Sequence, residues 1–224
     1  MTSKSRSRDA EGQIAHFSKG AFAMKLKQFT FAGATATTLL AAAALASFLT
    51  CAAHSQSTPA WGPKWTANGQ LELPTGYHEW VFLGAPITPN ALNGGKAAFP
   101  EYHNVYVQPE VFRAYRKTGE WPEGTIMLKE LRLSQPGTVP DGSSVEASGR
   151  GYFPAARNGI DISVKDSMRF KETNGWGFFN FGHHAPPYEK TAAAAPKDAC
   201  AGCHIANATN IVFSKFYEPI LKAE

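Results

Sequence analysis

Short runs dense in aromatic and β-branched residues recur along the second half of the chain, separated by Pro and Gly. Tyr77 to Leu83 (YHEWVFL) and Asn104 to Gln108 (NVYVQ) each predict a strand. Pro109 then opens PEVFRAYRKTG. Proline in the first turn, Glu110 beside it, bases late and Gly119 as a stop predict a short helix. Thr125 to Leu133 (TIMLKELRL) predicts a third strand. Its alternation puts Thr125, Met127, Lys129, Leu131 and Leu133 on one face. Gly151–Ala155, Ile160–Lys165 and Trp176–Phe181 predict three more strands. Gly84 to Pro100 holds three prolines and three glycines and reads as a long loop, while Gln56 to Gly69 reads as a lead-in. The tail from Asn210 (NIVFSKFYEPILK) predicts an aromatic-rich helix interrupted at Pro219. No internal repeat is visible. The expected class is α+β, mainly antiparallel β-sheet with a few helices at its middle and end.

Composition agrees. The chain has 224 residues, is 43% hydrophobic and 18% charged, and can bury a core. Its 20 Gly, 15 Pro, 15 Phe, 7 Tyr and 5 Trp speak against a simple helical bundle. The net charge of +4 lies entirely in the first 55 residues, where six bases face only Asp9 and Glu11. The remainder balances 16 bases against 16 acids, so no electrostatic case for nucleic acid exists. That basic N-terminus continues into an export leader. Lys25 and Lys27 form a positive region, Phe29 to Leu49 is uncharged, and Ala53 and Ser55 offer a cleavage pair before Gln56. The expected division is a leader with an N-terminal extension over 1–55 and one domain over 56–224, with a periplasmic destination. A retained membrane anchor is the alternative. Cys51 follows Phe-Leu-Thr, a poor lipid-attachment context.

After processing near Gln56, only Cys200 and Cys203 remain as cysteines. They stand in Cys200-Ala201-Gly202-Cys203-His204, the C-x-x-C-H attachment signature of c-type haem. Two thiols at this spacing reach two vinyl groups on one porphyrin edge, and the adjacent histidine lies under the iron as an imidazole ligand. A thioredoxin-like dithiol belongs after the first strand of a βαβ unit, and zinc would need two further ligands. The expected cofactor is one covalently bound haem c, held by Cys200, Cys203 and His204. The remaining methionines, Met127 and Met168, fall in or just after strands, so no loop methionine is placed as a sixth ligand. Five-coordinate iron with an open distal face follows as the expectation.

The ordered segments YHEWVFLG, TPN (88–90), FPEYHNVYVQPE, KTGEWPEGT, KEL (129–131), SVKDS (163–167), the Trp176 strand, CAGCH and FSKFYEPIL resemble the cytochrome P-460 family. The resemblance implies a periplasmic, mostly β, homodimeric protein with one c-type haem. It implies oxidation of hydroxylamine to nitrous oxide or nitrite, with electrons passed to a soluble cytochrome. Lys129 matches the lysine that family enzymes join covalently to the porphyrin. A related branch, the β-type cytochromes c prime, lacks that link and binds nitric oxide or carbon monoxide. Its non-catalytic nitric oxide binding is the alternative function; an electron-transfer cytochrome would need a sixth ligand.

Taken without the family, Lys129 on a mostly apolar face is either a snorkelling edge lysine or a desolvated amine. Beside a haem, burial would favour the neutral, nucleophilic amine that a cross-link requires. By resemblance, His103 falls where an enzyme of the family has a distal arginine, and Asp161 where a pocket glutamate takes protons. His103 is equally a capping residue of its strand. Asp161, with Ser163 and Lys165 on its strand face, also fits a solvent face. His183-His184 lies in a Gly/Pro-rich loop and reads as an exposed pair more than a metal site. No role is assigned to His78.

Overall fold

The computed structural model describes residues 59–221; the expected leader, Cys51 and the expected cleavage site lie outside the described residues. A five-stranded antiparallel sheet organises the chain. In chain order the elements are β1 (Leu71–Glu72), β2 (Val81–Gly84), β3 (Tyr102–Val107), α1 (Pro109–Thr118), β4 (Ile126–Ser134), β5 (Ser144–Glu146), β6 (Gly149–Gly151), β7 (Pro154–Lys165), β8 (Trp176–Asn180), β9 (Thr191–Ala192) and α2 (Ala201–Asn207). The main sheet has the order β2-β3-β4-β7-β8, with β1-β9 and β5-β6 as two-stranded satellites. The α+β, mainly antiparallel class is therefore the observed one. Among the described residues no helix is long and apolar enough to cross a membrane.

Period-two alternation sorts the sheet into two faces. Ile126, Leu128, Ile160, Ile162, Val164 and Phe179 point to one side, against Leu71, Tyr77 and Ala192. Val105, Val107, Met127, Trp176 and Phe178 point to the other, where α1 through Val111, α2 through Ala201 and the C-terminal segment through Val212 and Ile220 cover them. α1 ends as its sequence predicts: Gly119 adopts φ 71, and its N–H closes on the Tyr115 carbonyl. On the first face lies a buried carboxylate, Glu130 (2% exposed), which accepts hydrogen bonds from Tyr77 Oη at 2.6 Å and from His78 Nε2 at 3.2 Å.

Three expectations need correction. Tyr77–Leu83 is not one strand: Tyr77–Glu79 is a 3₁₀ turn and the strand starts at Val81. Left-handed Gly76 (φ 69) begins that turn, which lets consecutive Tyr77 and His78 both reach Glu130. Gly151–Ala155 and Ile160–Lys165 do not form two separate strands. Gly151 closes the β5–β6 hairpin, and one twelve-residue strand, β7, runs from Pro154 to Lys165. The tail is not a helix but two 3₁₀ turns, Ser214–Phe216 and Glu218–Ile220. The second α-helix is instead α2, seven residues long. It is too short to show an apolar period, and two cysteines and a histidine occupy its functional face.

Candidate haem site

α2 carries the attachment motif. Cys200 is its N-cap residue, so Cys200, Cys203 and His204 stand at i, i+3 and i+4 and share one side of the helix. No disulfide joins the two cysteines; Cys200 is partly buried and Cys203 exposed. The His204 ring lies 4.6 Å from that of Phe178 on β8 and 4.9 Å from that of Phe213. Its Nδ1–H donates to the Ile211 carbonyl at 2.8 Å. That carbonyl is offered by a tight turn in which Val212 N–H closes on Thr209 O at 3.0 Å. The two central residues, Asn210 (φ 48) and Ile211 (φ 69), are both left-handed. Asparagine accepts this region readily; a β-branched isoleucine does so at a cost of about 1–2 kcal/mol. The consequence is chemical. With Nδ1 committed to a carbonyl, Nε2 carries the lone pair, and burial pulls the His204 pKa below its ordinary value, favouring the neutral ring.

A second cluster sits on the same sheet face. Register pairs Lys129 on β4 with Val105 on β3 and with Asp161 on β7. Lys129 Nζ lies 2.9 Å from Asp161 Oδ2, with 26% and 23% of the two side chains exposed. The ammonium also faces the Phe99 ring at 4.4 Å. Lys129 is thus neither a bare snorkelling lysine nor an amine among apolar groups alone: a carboxylate and an aromatic ring hold it. Asp161 further accepts from Asn180 Nδ2 at 2.7 Å and contacts His183 Nε2 at 3.1 and 3.2 Å. Burial alone would raise the Asp161 pKa. The His183 hydrogen bond, the Lys129 charge and the Asn180 amide outweigh it and hold the carboxyl well below the usual range.

His103, paired with Leu131 across β3 and β4, stands on this face as well. Burial, reinforced by the Lys129 cation, lowers its pKa to about 4, so the ring is neutral near pH 7. Its Nε2 is buried and has no hydrogen-bond partner. An orphaned acceptor of this kind suits a ligand-facing position better than a strand cap. The fields of Lys129 and Asp161 reach His204 and Cys200, which ties the two clusters together.

The donor set fits a covalently attached haem: two thiols and a bare imidazole nitrogen on one side of a helix, with an orphaned polar atom on the facing sheet. A family model for cytochrome P-460 matches residues 74–214, more than half of the chain. The chain belongs to the cytochrome P-460 family. It is accordingly a haem-binding cytochrome. No curated protein matches it.

The structure brings Lys129, Asp161 and His103 together on the sheet, and Cys200, Cys203 and His204 together on α2. Of the two methionines, Met127 is buried in the core on the site's face and Met168 is 78% exposed. Phe99, Asn180 and Ile211 were missed, and His183 was read only as one of an exposed loop pair, without its tie to Asp161. Phe99 sits in the Pro/Gly loop and His183 in another loop, where no periodicity marks a side chain; Ile211 acts through its carbonyl, which no residue type announces. His183 and His184 do not act as a pair, since His184 turns away to Glu189 at 3.4 Å. Among the described residues, no group of three or more His, Cys, Asp or Glu is arranged to hold a metal ion.

Proposed function

We propose that the protein is an exported, periplasmic enzyme that oxidises hydroxylamine to nitrous oxide or nitrite. Its haem would be held covalently by Cys200 and Cys203, with His204 Nε2 on the iron. Bound there, the haem supplies a Lewis-acidic, electron-accepting iron. The observation that carries the reading is the Lys129–Asp161 pair, 2.9 Å apart on the sheet face that also holds His103. Hydroxylamine must lose protons as well as electrons. Asp161, held as the carboxylate, offers an oxygen to take a proton from substrate N–H or O–H. His103, held neutral, offers its bare Nε2 lone pair as an acceptor that orients the same protons. Lys129 would be the residue joined to the porphyrin; that N–C bond replaces a ring C–H bond and needs an external two-electron oxidant, and the neighbouring Asp161 oxygen could take the proton the amine must shed. Electrons would pass to a soluble cytochrome, and the protein would act as a homodimer.

One observation favours the competing reading, nitric oxide binding without turnover. Between Asp161 and the Phe99 ring the Lys129 ammonium is already well satisfied without a covalent link. One experiment separates the two. Purified haem-loaded protein should consume hydroxylamine in the presence of a redox acceptor, show a strongly red-shifted Soret band, and yield a Lys129 peptide linked to the Cys200–Cys203 haem peptide. A free Lys129 peptide with no hydroxylamine turnover would establish the gas-binding reading instead.

A further inference from the structure

Phe99 stands between two histidines, with ring centroids 5.8 Å from His103 and 6.1 Å from His183 and both rings nearly perpendicular to its own. The two histidines have opposite surroundings. His103 Nε2 is buried and unpartnered; His183 is 44% exposed and its Nε2 meets the inner carboxylate. We propose that His183 is the outer station of a proton relay, accepting from Asp161 the protons released at the haem face and delivering them to bulk water. This rests on the hydroxylamine-oxidising reading, because that reaction makes protons which a part-buried carboxylate must shed before the next turnover.

The geometry is built for transfer. Nε2 of His183 lies within hydrogen-bond reach of both Asp161 oxygens, at 3.1 and 3.2 Å. Asn180 holds Oδ1 and the unlinked Lys129 holds Oδ2; with Lys129 joined to the porphyrin, the Asn180 hydrogen bond still orients the carboxylate toward the imidazole. Gly159, two residues before Asp161 on β7, makes the approach possible. A Cβ there would stand 3.0 Å from His183 Cδ2, 2.9 Å from Gly182 O and 3.1 Å from Leu131 Cδ1. In the step, the Asp161 O–H bond breaks as the His183 Nε2–H bond forms. Water then takes a proton from the imidazolium, restoring carboxylate and neutral imidazole with no change in electron count. The substrate's electrons leave separately, to the acceptor cytochrome of the proposed reaction.

The charged groups facing His183 are Asp161 from β7, Lys129 from β4 and Glu101 just before β3. The Asp161 hydrogen bond raises the His183 pKa above its ordinary value of 6.5, against burial and the Lys129 cation. His183 therefore keeps its proton to higher pH than a free imidazole, while its exposed ring edge reaches water. The accepting form is the neutral one, so turnover should rise with pH through the His183 pKa.

The test compares wild type, His183→Gln and His183→Ala, all haem-loaded and with matched haem content. Wild-type turnover of hydroxylamine should show an inflection above pH 6.5. In His183→Gln that inflection should vanish, with kcat near neutrality lowered about tenfold or more and KM little changed. Raising the concentration of phosphate, a mobile proton carrier, should restore turnover of His183→Ala and leave wild type unaffected. Independently of activity, imidazole hydrogen exchange read by mass spectrometry should give a His183 pKa above 6.5 that drops in Asp161→Asn. An unchanged pH profile in His183→Gln, or a His183 pKa indifferent to Asp161→Asn, overturns the relay. If wild type itself does not oxidise hydroxylamine, the function proposed above falls first, which is a different result from active protein indifferent to His183.

Discussion

Among the residues of the site, His103 and Asp161 have their protonation strongly altered by the fold, and each has a measurable consequence. His103 refuses a proton until about pH 4, whereas the unfolded chain takes it near 6.5. Between those values the unfolded state binds more protons, so stability falls as pH falls, by about 3 kcal/mol at most. Asp161 adds to this below pH 3.8, because its folded pKa is depressed. His183 works in the opposite sense: its raised pKa contributes stability below 6.5 that is lost as pH rises. Urea unfolding of His103→Leu should therefore show a flatter acid limb between pH 6.5 and 4 than wild type. In catalysis, Asp161→Asn keeps hydrogen-bonding capacity but removes the base; hydroxylamine kcat should drop by about 10²–10⁴, with haem staining retained. Lys129→Ala should keep thioether-bound haem, shift the Soret band to an ordinary c-type position and lose most turnover while still binding nitric oxide.

At the scale of elements, a strand, a helix and a turn set the site, and each has a weak point. Gly159→Ala on β7 forces a Cβ against the Gly182 carbonyl and His183. Overpacking should cost about 1–3 kcal/mol in chemical denaturation and uncouple His183 from Asp161, so the imidazole pKa should fall as it does in Asp161→Asn. On α2, the attachment motif of Cys200, Cys203 and His204 was legible, although the helix that carries it was not. The supporting turn was not legible at all. Nothing in Thr209-Asn210-Ile211-Val212 indicates that isoleucine will adopt φ 69 to present a carbonyl to His204. Burial of the Ile211 side chain, 7% exposed in the core beside Val212 and Ile220, is what holds it there.

For the whole molecule, the sheet divides labour between its faces. One face buries Leu128, Ile160 and Ile162 with the Tyr77–Glu130 pair, and the other carries the site. A haem bound on the second face would stabilise the native state only, so removing attachment should lower stability. Replacing Cys200 and Cys203 together by Ala should abolish covalent haem staining on a denaturing gel and lower Tm. Staining that survives would show that the motif is not the attachment site. The proposed export makes a separate prediction: intact mass of periplasmic material should correspond to a chain starting near Gln56, and a species retaining Phe29–Leu49 would indicate an anchor.

By itself the sequence determined the class of fold, the central strand and its two faces, α1 with its glycine stop, and the Cys200-Cys203-His204 motif. Those features depend on neighbours within a few residues: alternation, turn chemistry, capping and thiol spacing. Tertiary structure decided the rest. Lys129, Asp161, Asn180 and His183 meet only because β4, β7 and β8 pair in one register, and a shift of one residue would turn each of these strand residues to the other face. Which histidine stays neutral and which titrates follows from burial and from the charges that pairing brings near, and neither quantity is local to the chain.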